Sequence, residues 1–320
     1  MTRTATWLLS VGMLLFIGVL VSQGLPAIIA SLALAGWGLV PVALFHLLPL
    51  VLDAYAIRVL FAGSAANTVR FGDALVARWV GESANSLMPG GQLGGPVLMA
   101  RHLVKRGMPM RDAAAAITVS TTLQSFGQIA FAMVGVSLLG AHNARTSSLI
   151  ASGVLAVQIV GFYLMQRRGL FSKLMRTVSR FSGKRDWSHL LSQAAAIDAA
   201  VVETYAHSGA VALSFLLSLI GWLVGTAEVY FILQLLKSPV SWSDALLLES
   251  LGQAIRGAAF AIPGALGVQE GGYLLLAPFT GLSPEIALAL SLAKRAREII
   301  LGLPGLLYLR WRSGIDAMRN

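Results

Sequence analysis

Residues 88–96 read Met88-Pro89-Gly90-Gly91-Gln92-Leu93-Gly94-Gly95-Pro96, a Pro-Gly break between two moderately apolar helical stretches within 72–104. A second run of the same kind, Ile262-Pro263-Gly264-Ala265-Leu266-Gly267-Val268-Gln269-Glu270-Gly271-Gly272, interrupts 243–280. A helix crossing a bilayer needs ~20 apolar residues for a ~30 Å hydrocarbon core, and none of these half-helices has them. The pattern predicts two re-entrant hairpins. Irregular backbone at membrane depth persists only where protein or a watery cavity satisfies its N–H and C=O groups. Pro89, Gly90, Gly91 and Gln92 of the first break, with Pro263, Gly264, Gly267 and Gln269 of the second, are therefore candidate ligand-facing residues. Glycine allows positive φ and close approach of a ligand to the backbone. Helix N-termini after the breaks would point N–H groups and positive dipole ends at an anion. The competing reading is a pair of exposed interfacial turns.

Composition agrees with a membrane setting. Apolar residues make up 56% of the 320 and charged residues 12%, too few to clothe a soluble domain. The expected fold is all-α, a single polytopic domain over 1–320. With no cysteine, disulfides, thiolate metal sites and thiol nucleophiles are excluded. The formal charge of +10 would suggest nucleic acid in a soluble protein, but Lys and Arg gather in particular loops, as membrane orientation requires. No nucleic-acid partner is expected.

Apolar runs predict spans near 7–22, 37–61, 112–139, 147–166, 209–235 and 284–309, the first read as a retained helix and not a cleaved leader. Segment 167–185 carries Arg167, Arg168, Lys173, Arg176, Arg180, Lys184 and Arg185 and is expected to be cytoplasmic. Six crossings then put both termini on that side, together with Arg70, Arg78, Arg101, Lys105, Arg106 and Arg111. Arg145, Lys237 and Arg256 fall on the other side. Through 186–208, Trp187, Leu190, Leu191, Ala194, Ile197, Val201 and Tyr205 recur at helical spacing, so 167–208 reads as a basic amphipathic linker. It either rests on anionic lipid or carries only orienting charge.

The two interrupted stretches also resemble each other. Asp73-Ala74-Leu75 recurs as Asp244-Ala245-Leu246 and Gly81-Glu82 as Gly252-Gln253, both 171 residues later. Pro89-Gly90 recurs as Pro263-Gly264, Gly107 as Gly281, and Ala113 and Ala115 as Ala287 and Ala289, all 174 residues later. Ordered matches at near-constant spacing point to a duplicated unit of helix, broken hairpin and helix, over 37–139 and 209–309. Three crossings separate equivalent points, so the second copy is expected to be inverted, as in many secondary transporters.

The last span carries Lys294, Arg295, Arg297 and Glu298 near its middle, where each unpaired Arg or Lys costs roughly 2.5–3.5 kcal/mol. At 100° per residue, Lys294, Arg297 and Glu298 share one sector with Arg295 at its margin. One reading makes this face a cationic wall with capacity for an anionic ligand. Arg256 would add to the wall and Glu270 would act as counter-ion or gate. Glu249, Glu228, Asp53 and Glu82 are further counter-ion candidates. In the other reading the charges pair among themselves and hold helices together, or Lys294 snorkels to the interface. His46 and His102 are single and lack metal-ligand spacing, so each reads as a satisfied helix residue. No metal, cofactor or catalytic motif is expected: HExxH, GxSxG, GxxxxGK[ST] and a strand-borne GxGxxG are all missing from the sequence.

Glu82-Ser83-Ala84-Asn85-Ser86-Leu87-Met88-Pro89-Gly90-Gly91-Gln92-Leu93-Gly94-Gly95, then Ile262 to Glu270 and the Ala-Leu-rich helix with Arg297, resembles the lysylphosphatidylglycerol synthase transmembrane, or flippase-like, family. Lys294-Arg295-Ala296-Arg297-Glu298 running into Gly302-Leu303-Pro304-Gly305 is similar to its hopanoid-biosynthesis-associated branch. Many relatives carry Glu two residues after the first Pro-Gly-Gly, where this chain has Leu93. The resemblance implies a bacterial inner-membrane protein that flips or transports lipid, phospholipid or hopanoid, beside hopanoid-synthesis enzymes. Aminoacyl transfer is not implied, because the synthase domain of longer relatives has no counterpart in this sequence. Two other readings stay open: a non-catalytic scaffold for hopanoid enzymes, and a lipid-modifying membrane transferase.

Overall fold

Helix Ser208–Leu235 turns Ser214, Ser218, Gly221, Gly225, Glu228 and Ile232 inward and leaves Leu213, Leu216, Ile220, Leu223 and Phe231 outside. Small and polar side chains inside with large apolar ones outside reverse the pattern of a helix on a water-soluble core, and suit hydrocarbon as the surrounding solvent. The computed structural model describes residues 29–30, 33, 35–61, 69–88, 94–140, 168–169, 172–173, 176, 188–259 and 262–319, and among them there is helix and turn but no strand. The helices are α1 (Leu39–Phe45), α2 (Leu47–Val59), α3 (Phe71–Leu87), α4 (Gly94–Lys105), α5 (Met110–Gly140), α6 (Ser188–Ala206), α7 (Ser208–Leu235), α8 (Trp242–Ala258), α9 (Val268–Leu276) and α10 (Pro284–Arg319).

Among the described residues, three helical stretches are long and apolar enough to cross a membrane: Gly36–Val59, which runs through α1 and α2, together with α5 and α7. They coincide with the spans expected at 37–61, 112–139 and 209–235. The span expected at 284–309 lies within α10, whose 36 residues reach ~54 Å at 1.5 Å each; its central charges lower its hydropathy. The chain is an all-α membrane protein. The spans expected at 7–22 and 147–166, and most of the basic segment 167–185, lie outside the described residues.

Each interrupted stretch gives one helix before its Pro-Gly run and a shorter one after it, α3 and α4, then α8 and α9, followed by a long helix, with 89–93 of the first run outside the described residues. Matched positions do matched work. Asp73 accepts the Arg70 backbone N–H at 3.3 Å, and Asp244 accepts that of Ser241 at 3.3 Å, each satisfying a donor at a helix start. Gly81 lies against Met99 of α4, and Gly252 against Tyr273 of α9, where the halves of each hairpin close up. Gly107 and Gly281 take positive φ, 95° and 67°, ahead of the long helices, a conformation that favours glycine.

Two apolar clusters form the interior. One joins Ile57 of α2, Ala77 of α3, Met99 of α4 and Ile117 of α5, with Ala200 and Val201 of α6. The other joins Val42 of α1, Ile232 of α7, Leu248 of α8, Tyr273 of α9 and Leu290 of α10. Ile197, Val201 and Tyr205, part of the stripe expected to rest on lipid, pack into the first cluster instead, because α5 offers them an apolar partner. Across the two clusters α7 packs on α2, α10 on α3 and α8 on α5.

The α10–α3 crossing is tight. A Cβ at Gly305 would lie 2.1 Å from Ser83 Oγ, whereas one at Gly209 would meet nothing within 4 Å. Gly305→Leu should lower stability in detergent by about 1–3 kcal/mol, the usual cost of overpacking, while Gly209→Leu should not. Unfolding midpoints of the two purified variants check this.

Candidate functional site

Proline places the first polar residue. Pro49 has no N–H to offer the Phe45 carbonyl, and the helix is interrupted between α1 and α2. His46 sits at that interruption, its ring meeting side chains of α3, α7 and α10. On α10, Lys294, Arg297 and Glu298 are buried, and each meets an opposite charge from another helix. Lys294 pairs with Glu249 of α8. Arg297 Nη1 donates to both oxygens of Glu228 on α7, at 2.7 and 2.8 Å. Glu298 pairs with Arg256 of α8. Arg295 donates to Glu270 on α9, Nε to Oε1 at 2.6 Å and Nη2 to Oε2 at 3.2 Å.

These contacts form a continuous chain. Asp53 meets Arg78 at 2.7 Å, and Arg78 meets Glu82 at 3.6 Å. Glu82 meets His46 Nε2 at 2.9 Å, and His46 Nδ1 meets Glu228 at 2.7 Å. From Glu228 the chain passes through Arg297 and Glu298 to Arg256, and through Arg295 to Glu270. Gln124 donates to Asp53 at 2.6 Å, and Gln253 to Glu249 at 2.9 Å. Ionised groups so arranged offset the burial penalty that each would meet alone.

The second break is held by the same groups. Gly264 (φ 59°) and Gly267 (φ 77°) carry the backbone through its turn. Arg295 donates to the Gly264 carbonyl at 2.9 Å and the Ala265 carbonyl at 3.3 Å. Glu270 accepts the Gly267 N–H at 2.8 Å and the Ser291 hydroxyl at 3.1 Å. Gln269 donates to Ser291 at 2.9 Å and accepts from Arg256 at 3.3 Å. Irregular backbone is thus satisfied by protein. Across the first break, Asn85 of α3 accepts the Gly95 N–H at 3.0 Å, occupying one of the free donors at the start of α4.

Beside this chain lies a cavity of about 270 Å³. The region of both breaks lines it, through Asn85, Ser86 and Pro96 on one side and Ile262, Gly264 and Ala265 on the other. Its polar wall includes His46, Asp53, Arg78, Glu82, Gln124, Gln128, Glu249, Gln253, Arg256 and Arg297. Thr121 lies on the same wall and donates its hydroxyl to the Ile117 carbonyl of its own helix at 2.8 Å, which keeps it satisfied where water is scarce.

Of the residues expected at the site, Arg256, Arg297 and Gly264 line the cavity. Gly267, Gln269, Glu270, Lys294, Arg295 and Glu298 stand in or behind its ionic wall. Pro263 belongs to the turn. Pro89, Gly90, Gly91 and Gln92 lie outside the described residues. The expected surplus of positive charge on α10 is not what the geometry gives, because Lys294, Arg295 and Arg297 each face a carboxylate supplied by another helix. His46 and Arg78 are part of the wall although the sequence reading left them out. The Arg78–Glu82 spacing of four was the available signal; a single histidine gave none. Among the described residues no group of His, Asp and Glu could hold a metal ion.

Residues 6–305 match the family model described as the lysylphosphatidylglycerol synthase TM region. No curated protein and no solved structure matches the chain.

Lys294 and Glu249, 1% and 2% exposed, give a stability test. Lys294→Met should destabilise by about 3–5 kcal/mol, since it strands a buried carboxylate, and adding Glu249→Leu should recover most of the loss. Unfolding of the single and double variants in mixed micelles measures it.

Proposed function

Since the chain belongs to the lysylphosphatidylglycerol synthase TM region family, a multi-pass membrane family of lipid handling, we propose that it moves lipid between leaflets by admitting a headgroup to the cavity between its two broken helices. The observation that carries this reading is the cavity itself: polar, bordered by both breaks, and buried among helices that show apolar surface outward. At about 270 Å³ it lies just below the ~300 Å³ at which small-ligand pockets begin. It holds a headgroup and leaves the acyl chains in the bilayer.

Gln124, Gln128, Gln253 and Asn85 offer amide hydrogen bonds on the wall. Arg256 and Arg297 also line it, and each already faces a carboxylate. A phosphate is therefore held by exchange, displacing Glu298 or Glu228 from its guanidinium. Units 37–139 and 209–309 act as inverted repeats, with one break opening to the cytoplasm and the other outward, so that alternate opening carries the headgroup across. The matched work of Asp73 and Asp244, Gly81 and Gly252, and Gly107 and Gly281 supports this symmetry. In a bacterial inner membrane, both termini and the basic segment 167–185 face the cytoplasm, the latter against anionic lipid. The similarity of 294–305 to the hopanoid-associated branch supports a hopanoid or an anionic phospholipid as cargo.

Filling the cavity tests the reading. In vesicles holding fluorescent phospholipid, the purified protein should expose inner-leaflet label to an external quencher. Ser86→Trp, on the cavity wall, should slow exposure at least tenfold, an effect of about 1.4 kcal/mol or more on the barrier. Leu275→Trp, at a position 72% exposed on the outer surface, should leave it unchanged. Equal rates for the two variants would overturn the assignment.

A further inference from the structure

Both ring nitrogens of His46 face carboxylate oxygens: Nδ1 is 2.7 Å from Glu228 Oε2, and Nε2 is 2.9 Å from Glu82 Oε1. An ionised carboxylate only accepts hydrogen bonds, so each short N···O contact needs a proton between its atoms. A neutral imidazole carries one. The two carboxylate contacts therefore call for one proton more than a neutral histidine and two carboxylates supply, while the 2.8 Å approach of Arg297 Nη1 to the same Nδ1 suits that nitrogen without its proton.

The charges of the connected chain lead independently to the same number. Asp53, Glu82, Glu228, Glu270 and Glu298 are five carboxylates, and Arg78, Arg256, Arg295 and Arg297 are four guanidinium groups. The Lys294–Glu249 pair balances itself. With a neutral His46 the chain carries one net negative charge in a low-dielectric interior; with one added proton it carries none. Three charged groups touch the imidazole, Glu82 from α3, Glu228 from α7 and Arg297 from α10. Behind them along the chain of contacts stand Arg78 of α3, Asp53 of α2 and Glu298 of α10, with Lys294 of α10 paired to Glu249 of α8.

The surroundings also provide for the proton's departure. Arg297 Nη1 lies 2.8 Å from His46 Nδ1 while donating to Glu228. With the proton bound, Nδ1–H donates to Glu228. With it gone, the bare Nδ1 accepts from Arg297, and Nε2–H keeps its bond to Glu82 in both states. A buried nitrogen that has a partner in either state can load and unload a proton without leaving an unsatisfied polar group, whose cost otherwise blocks such exchange. His46, Glu82 and Arg297 all border the cavity, so the proton has a polar route to it.

We infer that His46, Glu82 and Glu228 form a proton-binding site on the cavity wall, with Arg297 as the partner that takes over Nδ1 when the proton leaves. Loading changes the charge of the wall by one and alters what Arg297 can offer an incoming ligand. The inference rests on side-chain geometry and stands whether or not the chain moves lipid, and its test shares no readout with lipid movement.

The experiment is ¹⁵N magnetic resonance of the full chain labelled at histidine ring nitrogens and embedded in bilayers, titrated between pH 5.5 and 9. A chain in which His102, His142, His189 and His207 are replaced by Gln leaves the His46 signal alone without touching the site. At pH 7 that signal should show protons on both nitrogens, and on raising the pH it should convert to a ring protonated at Nε2 only. In the Glu82→Gln and Glu228→Gln chains, each checked for a monodisperse elution profile, the conversion should move by at least one pH unit. A His46 ring that stays singly protonated across the range would overturn the inference. So would a midpoint unchanged in both carboxamide variants. Because the first reading uses the native triad, it decides the matter even if both variants fail to fold.

Discussion

An ionised side chain in hydrocarbon must find its counter-charge inside the protein, and the middle of α10 makes that demand four times within five residues. No carboxylate neighbouring in sequence answers it except Glu298, itself in need of a partner. The answers come from α7, α8 and α9, through Glu228, Glu249, Arg256 and Glu270. Each pair fixes one helix against α10 at a defined depth and rotation. Lipid gives helices little apolar reason to associate, so specific polar contacts and close packing at small residues do much of the positioning. Gly302 and Gly305 let α10 approach α3, and Gly135 lets α5 approach α8, bringing the long side chains within reach of each other.

The same constraint explains the second break. A Pro-Gly turn at depth exposes carbonyl and amide groups, and the second break hands its carbonyls to Arg295 and an N–H to Glu270. An ion pair thus doubles as a backbone cap. The apolar interior falls into two clusters, one from 57–123 with part of α6 and one dominated by 229–293. The cavity and the charges coincide because the polar side chains that pair with one another also line it.

Much of this was legible in the sequence for local reasons. Apolar run length marks α5 and α7, and Pro-Gly marks the breaks. The charges of 294–298 identify a polar face because hydrocarbon makes them costly. Which carboxylate meets which cation is not legible, since the pairs made by α10 span up to 69 residues and depend on helix rotation; Glu270 reads as a counter-ion, but its role as Arg295's partner and as a cap for Gly267 needs coordinates. Arg78 reads as one of the orienting charges because the positive-inside pattern does not separate loop residues from helix residues near an interface. His46 carries no spacing signal: its place follows from the helix interruption ahead of Pro49 and from three acidic or basic partners on three other helices.

Central to the account is a water-accessible polar seam at membrane depth, reached through the helix breaks. The chain has no cysteine, so single cysteines can be placed at Ser86, Thr121 and Ile262, on the cavity wall, and at Leu216 and Leu303, on the outer apolar surface. Thiols react with water-soluble maleimides as thiolates, and thiolates form in water and not in hydrocarbon. The account predicts labelling in intact bilayers at the three wall positions and none at the two outer ones; wall positions as inert as Leu216 and Leu303 would contradict it.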